Sequence, residues 1–569
     1  MRSIANHITP KTAKFLLAYL LFLSILELLA YRCGGMFSII ASRLWLATAL
    51  LCLVLFAAAT LQTLADDLRN RHWLLLAGFV SLLFLFCSKI GNLDYSDISF
   101  EATLQAAAGL TSFEAKDLNY TGVAFLDYAN RQYILNALPS LLFGRSILTL
   151  HLGFALPFLA GMILWYLELR AWLREKAIRE EYALLPIYAL PVFPYITEYF
   201  MNFEQTLTPV AFTMLGLALL LRFYHKRDIP GVLALSWVGG MCCNAYTPVL
   251  AFFGFLLVFL ALWGIRVIYS LRKRLFSSPY QNTLWHIFLC FALVLQLCCY
   301  FAATMVTKQK EMITTTKPEL SLVKAIATSW CDFFLDREAL FWGIWLFLLL
   351  TYMFLSLLGI LKFHDFLVTG WMLLTAFLSS YLAGYTTYDK AHEIQRNMLI
   401  IPVFVTAFFL AAVRFFRQHP IRLPRYLFPA SLLLLLLLGQ YNFSREHHSF
   451  VYYRHVQPMK YMLSYAEEVL TENHIPDTAE FNLVLLTNNS LMGNLPDYTT
   501  FLYPNAHAYT AEAGGYPEEI NHSLPTLVFS ELPMFPAEIE GSVLSREFEN
   551  IRYGSTITWY CLIPCFKEP

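Results

Sequence analysis

The stretch Trp73–Asp97, WLLLAGFVSLLFLFCSKIGNLDYSD, decides what kind of molecule this is. No charge interrupts it from Trp73 to Ser88; Lys89 ends the apolar run, and two carboxylates, Asp94 and Asp97, follow within a few residues. A run of this kind reads as a crossing of the roughly 30 Å hydrocarbon layer, with an acidic motif where the chain re-enters water. Working outward in both directions, comparable apolar runs recur at 15–31, 44–65, 73–88, 146–167, 182–197, 208–221, 231–247, 248–265, 284–305, 340–361, 366–384, 398–413 and 426–439. The chain is therefore expected to be an α-helical polytopic membrane protein of about thirteen transmembrane helices. The run 182–197 is short and carries Pro186, Pro191 and Pro194, and 231–247 and 248–265 meet at Asn244–Pro248. The first span is too long for a signal peptide's apolar core, and no small-residue cleavage site follows it, so it is expected to remain as an anchor.

Composition points the same way. Of 569 residues, 58% are hydrophobic and 14% charged, with mean hydropathy +0.54. A soluble chain of ordinary make-up carries nearly twice that charge. With 40 basic side chains against 40 acidic ones there is no basic excess to hold nucleic acid. The eleven cysteines lie mostly inside spans and suggest no metal or disulfide framework.

The zero net charge is a cancellation of two sorted halves. With the N-terminus in the cytoplasm, the inward segments 1–14, 66–72, 168–181, 222–230, 266–283, 362–365 and 414–425 hold 21 Lys+Arg and 8 Asp+Glu, a net of +13. The outward segments hold 19 Lys+Arg and 31 Asp+Glu, a net of −12, and Glu27 lies within the first span. Basic clusters such as Arg170–Arg179, Arg266–Arg274 and Arg414–Arg425 all fall on one side, as the positive-inside rule requires. One span too many or too few would invert everything after it.

Three outward regions exceed simple turns: 89–145, 306–339 and 440–569. In the first, Ile98–Leu110 has helical apolar spacing and reads as an amphipathic helix on the membrane surface. A second apolar stretch, Tyr133–Phe143, is closed by Pro139 and Gly144. Two such helices in one loop suggest a built site. The tail reads as a small mixed α/β extracytoplasmic domain, with helical spacing over Val456–Glu472 and strand-like runs at Phe481–Thr487, Thr526–Ser530 and Ile557–Pro564. The expected domains are thus 1–72, a two-span region; 73–439, the catalytic membrane module; and 440–569, a tail suited to capping or substrate contact. Asn119, Asn442, Asn488 and Asn521 head N-x-Ser/Thr sequons in outward segments, which matter only in a host that glycosylates them.

Gly91-Asn92-Leu93-Asp94-Tyr95-Ser96-Asp97 is the stretch best placed for chemistry. A carboxylate at the outer boundary meets both water and the head group of a lipid carrier. There it can take a proton from an acceptor hydroxyl as a sugar leaves a lipid phosphate. The alternative is that Asp94 caps the surface helix beginning near Asp97. No Gly-rich phosphate loop occurs on the cytoplasmic side, which disfavours a nucleotide-sugar donor or an ATP-driven pump.

The acidic motif after a span, the amphipathic loop, Tyr120-Thr121-Gly122, Asp127-Tyr128-Ala129-Asn130-Arg131-Gln132-Tyr133-Ile134-Leu135 and Leu138-Pro139-Ser140-Leu141-Leu142-Phe143-Gly144 together resemble the GT-C glycosyltransferases. The protein O-mannosyltransferase and lipid A aminoarabinose transferase type is the nearest. Further similarity lies at Asn244-Ala245-Tyr246-Thr247-Pro248, and at Asp389-Lys390-Ala391-His392-Glu393 running into Arg396-Asn397-Met398 and Pro402; in all it spans roughly 75–415. The family's adjacent acidic pair is here Asp94-x-x-Asp97, Asn130-Arg131 stands where a paired proline is usual, and two additional spans come first.

The resemblance implies a polyprenyl-phosphate or dolichyl-phosphate sugar donor and a glycan, lipid or protein acceptor outside the membrane. It makes Asp94 the catalytic base and Asp97 a supporting acid or metal ligand. Family members differ in their use of a divalent metal, so no cofactor follows. A phosphate leaving group calls for cations, for which Arg131, Arg396, Lys390 and His392 are placed, although each is also what a snorkelling boundary side chain looks like. Glu198 and Glu204 flank a short outward turn where the family binds acceptor or lipid, and Tyr246 lies in the second matching motif. Two other classes compete. A polysaccharide polymerase or ligase with a lipid-linked donor would tolerate loss of Asp94, and a lipid-linked-glycan flippase would show mid-membrane charges and internal repeats.

Overall fold

The structure is a computed structural model. It describes 35–92, 130–201, 207–226, 400–418 and 426–444, the tail segments 479–486, 501–511, 523–530, 545–550 and 555–563, and scattered positions between them. The spans expected at 231–247, 248–265, 284–305, 340–361 and 366–384 lie outside the described residues, and 15–31 is described only at scattered helical positions.

Nine α-helices are used below: α1 (Gly35–Arg69), α2 (Trp73–Cys87), α3 (Asn130–Phe143), α4 (Ile147–Glu175), α5 (Leu184–Ala189), α6 (Pro194–Met201), α7 (Leu207–Lys226), α8 (Ile400–Gln418) and α9 (Leu427–Ser444). α1 begins well before the expected span at 44, because no Gly or Pro breaks the chain after Gly35. α4 continues past the expected end at 167. The helix-favouring run Glu168–Glu175 prolongs it, and its buried charges find partners. α4 and α9 are long and apolar enough to cross a membrane. On α9, Leu433, Leu434 and Leu437 stand 57–58% exposed, an arrangement suited to hydrocarbon and costly in water.

The proline-rich run expected as one span at 182–197 is instead a broken path. A 3-10 turn at Glu180–Ala183 leads into α5, a second at Leu190–Val192 follows, and then α6. Pro191 and Pro194 bring no N–H to a continuing ladder, so the helix restarts at each. The carbonyls released there must be satisfied away from water. Asn442 of α9 does this, its Nδ2 donating to Pro191 O at 3.1 Å and Val192 O at 2.8 Å. This corrects the reading of Asn442 as an outward sequon: it is 7% exposed and serves the bundle interior.

Helices meet closely where side chains are small. A Cβ on Gly161 of α4 would lie 2.6 Å from Ala211 O of α7, and one on Gly153 would lie 2.0 Å from Asn136 O of α3. Phe79 of α2 stacks on Tyr166 of α4 at 4.9 Å, and Tyr188 of α5 donates to Gly78 O at 2.7 Å.

The tail holds a five-stranded sheet, β1 (Phe481–Leu486), β2 (Ala506–Ala511), β3 (Thr526–Ser530), β4 (Ser545–Asn550) and β5 (Ser555–Ile563), in the order β2-β1-β3-β5-β4. β2 and β3 flank β1 in parallel, while β5 pairs antiparallel with both β3 and β4. The three strands expected from sequence are the interior ones. The two not expected, AHAYTA and SREFEN, are the edges, where polar side chains blunt further pairing.

One end of the helical bundle is tied by charge. Arg170 of α4 grips Asp67 of α1 with two parallel hydrogen bonds of 2.7 Å, and both residues are buried. Its Nη2 also donates to Glu180 at 3.1 Å, and Arg174 donates to both oxygens of the same carboxylate. His72 Nδ1 stands 3.3 Å from Asp67. Two residues before Arg170 on α4, Glu168 pairs with Arg222 of α7 at 3.1 Å. The segments 66–72, 168–181 and 222–230, all expected on one side of the membrane, therefore meet at one end of the molecule.

Two outcomes follow at this end. Arg170→Leu strands Asp67 in a buried place and leaves Glu180 to Arg174 alone, a change that costs on the order of 3–5 kcal/mol, so the detergent-solubilised variant is expected to melt well below wild type. An unchanged melting temperature would mean the clamp is dispensable. Burial opposes ionisation of Glu180, but Arg174 and Arg170 outweigh it and hold its carboxyl below the ordinary value of about 4.3. Its stabilisation is thus complete above that value and is lost as pH falls through the lower folded-state pKa. Melting curves taken as pH falls below about 4.3 should drop less for Glu180→Gln than for wild type.

Candidate functional site

The opposite end of α4 is organised around His151. Its ring is fully buried, and its Nδ1 accepts the Gly91 N–H at 2.9 Å. Gly91 closes the turn that leaves α2. There Ser88, Lys89, Ile90 and Asn92 each donate to a carbonyl three or four residues back. Gly91 has φ +78°, and a Cβ there would lie 3.1 Å from Leu148. The position needs glycine on both counts. Because Nδ1 accepts, the imidazole proton is on Nε2.

The return of the chain from the loop 89–145 is equally tight. α3 continues through Pro139, which the sequence placed at its end, and stops at Gly144 with φ +87°. α4 starts from a reciprocal cap. Ser146 Oγ accepts from Thr149 N at 3.2 Å, and Thr149 Oγ1 accepts from Ser146 N at 3.0 Å. Thr149 Oγ1 also donates to Gly144 O at 2.8 Å, and Ser140 of α3 reaches it at 3.2 Å. With the Gly153–Asn136 contact one turn further along, this corner holds α3 firmly on α4.

α6 approaches from a third direction. The Phe200 ring lies edge-on to His151 with centroids 5.1 Å apart, and Phe86, Phe158 and Phe443 complete an aromatic cluster beneath. Glu198 sits in α6 and is 1% exposed, so it belongs to a buried helix where the sequence suggested the edge of a short outward turn.

The structure therefore brings three elements that carry expected site residues to one end: the turn leading to Asp94, the C-terminal half of α3, whose opposite, first turn contains Arg131, and the short helix bearing Glu198. Asp94 and Asp97 lie outside the described residues, as do Glu204, Tyr246, Lys390, His392 and Arg396. Chain length still constrains the first of these, since three residues span at most about 10 Å, which tethers Asp94 to the Gly91 anchor. Among the described residues no three His, Cys, Asp or Glu side chains cluster as a metal site. Sequence reading passed over His151 and Asn136. The one available signal was an imidazole in an otherwise apolar run just after a Ser-x-x-Thr cap.

No family model matches the chain, and no curated protein matches it. Among solved structures it is similar to ArnT from Cupriavidus metallidurans in two states. The apo form has 12% identity and a TM-score of 0.49; the form bound to undecaprenyl phosphate has 12% identity and a TM-score of 0.50. Both matches cover 86% of this chain and 98% of ArnT. The chain has an ArnT-like membrane-protein fold.

Proposed function

We propose that the protein is an integral membrane glycosyltransferase that moves a sugar from a polyprenyl-phosphate donor to an acceptor outside the cytoplasmic face of the membrane. The observation that carries this reading is the fold shared with ArnT, whose structure was solved with undecaprenyl phosphate bound. The gathering of the Asp94 tether, the Arg131 helix and Glu198 at one bundle end is consistent with it. The nine Lys and Arg residues of 66–72, 168–181 and 222–230 support placing the Arg170 end in the cytoplasm, because the positive-inside rule counts basic side chains and not net charge. The His151 end then faces outward, with the loop 89–145.

In this reading Asp94 takes the proton of the acceptor hydroxyl as that oxygen bonds to the sugar's anomeric carbon. The bond from that carbon to the phosphate oxygen breaks, and polyprenyl phosphate leaves with the electron pair. Asp97 supports the base. Arg131, Arg396, Lys390 and His392 compensate the phosphate charge, Arg through its two-pronged donor geometry. Glu198 and Glu204 help bind the acceptor or the lipid, and Tyr246 belongs to the same substrate-binding set. In this reading 73–439 is the membrane module and 440–569 an outer domain whose sheet has a capping or acceptor-contacting role.

Asp94→Asn keeps shape and removes the base, a role worth about 10²–10⁴-fold. In proteoliposomes loaded with polyprenyl-phosphate sugar, the variant should insert and melt like wild type yet lose transfer by at least about 100-fold. Normal turnover would remove Asp94 from the mechanism and favour a polymerase or ligase. Comparing surface glycans by mass spectrometry with and without the protein identifies the sugar and acceptor.

A further inference from the structure

We infer that His151 is a positioning residue for the catalytic loop, acting as a neutral hydrogen-bond acceptor that fixes where the chain leaves α2. The inference rests on the proposed transferase reading and extends it to a residue that never meets substrate. Its basis is the backbone of the exit turn. Ser88, Lys89, Ile90 and Asn92 satisfy their N–H groups within the turn, while the Gly91 N–H is directed across to His151 Nδ1, sixty residues further along the chain, at 2.9 Å. The acceptor is fully buried, at a depth where an unmade backbone hydrogen bond is expensive.

The same imidazole packs against Phe200 of α6, at 5.1 Å between centroids, and lies half a turn of α4 from the Gly153–Asn136 contact with α3. Three elements that carry expected site residues are thus referenced to one rigid ring. Leu or Phe would fill the volume without accepting from Gly91, and Lys or Arg cannot accept at all. An apolar replacement leaves the Gly91 N–H without its acceptor and loosens the turn at Gly91, whose φ is +78°. The tether from Gly91 to Asp94 converts that loosening into a shift of the carboxylate. Displacement of a catalytic group by about 1 Å can cost around 100-fold in rate.

The test uses the full-length protein in lipid nanodiscs, comparing His151→Leu with His151→Asn, whose Oδ1 can replace Nδ1 as acceptor. Two readouts are taken: steady-state transfer from polyprenyl-phosphate sugar, and hydrogen exchange of the Gly91 amide in glycine-labelled protein. The Leu variant is expected to lose Gly91 protection and to lower kcat by about 10–100-fold with little change in donor KM. The Asn variant should restore both to within a few-fold of wild type. Equal loss in Leu and Asn, a change confined to KM, or retained protection in the Leu variant would each overturn the inference. Wild type that transfers no sugar would overturn the functional reading and His151's part in it. Exchange, which needs no activity, tells that outcome apart from failure of the anchor. A Leu variant that does not fold leaves the decision to Asn, where protection with normal kcat supports the acceptor role and loss of both contradicts it.

Discussion

One helix, α4, must satisfy polar contacts at both ends of a layer that contains no water. Near its start His151 accepts from Gly91, and near its end Arg170 grips Asp67. Nineteen residues at 1.5 Å each separate the two, about 28 Å, close to the thickness of the hydrocarbon core. Between them Leu152–Leu167 carries no charge. An unmade bond at either place would cost several kcal/mol, so the two contacts fix how α1 and the exit of α2 sit against α4. α9 runs alongside, with Phe428 against Tyr182 near one end and Phe443 against Phe200 at the other.

The two ends are built from different chemistry. At the Arg170 end, long charged side chains close on one another in a mutually neutralising cluster, leaving little capacity for a ligand. At the His151 end, contacts are neutral and short-ranged: backbone to imidazole, hydroxyl to carbonyl, ring to ring. Under the proposed function such neutral scaffolding suits an electrostatic site, because fixed dipoles need not rearrange as charge moves.

Much of this was legible in the sequence. Charge sorting grouped 66–72, 168–181 and 222–230, and the Arg170–Asp67 and Arg222–Glu168 pairs unite those segments. The apolar interior strands β1, β3 and β5 were legible because burial imposes a hydrophobic run. β2 and β4 were not, since edge strands stay polar and resemble loop. The break at Pro191 was visible as proline content, but its repair by Asn442 was not, being a contact across some 250 residues. Arg170 was read as a positive-inside signal, a reading that counts charge and cannot see its partner. His151 escaped for the same reason: a single polar residue in an apolar run has no periodicity, and only the partner it meets in three dimensions gives it meaning.

The claim on which everything turns is that the His151 end of the bundle receives the phosphate of a polyprenyl carrier. It is tested most directly by determining the structure of the protein in lipid nanodiscs with undecaprenyl phosphate added. The expected result is phosphate density at the end formed by the Gly91 turn, the last turn of α3 and α6. Density seated instead at the Asp67–Arg170 end, or no bound carrier at saturating concentration, would contradict it.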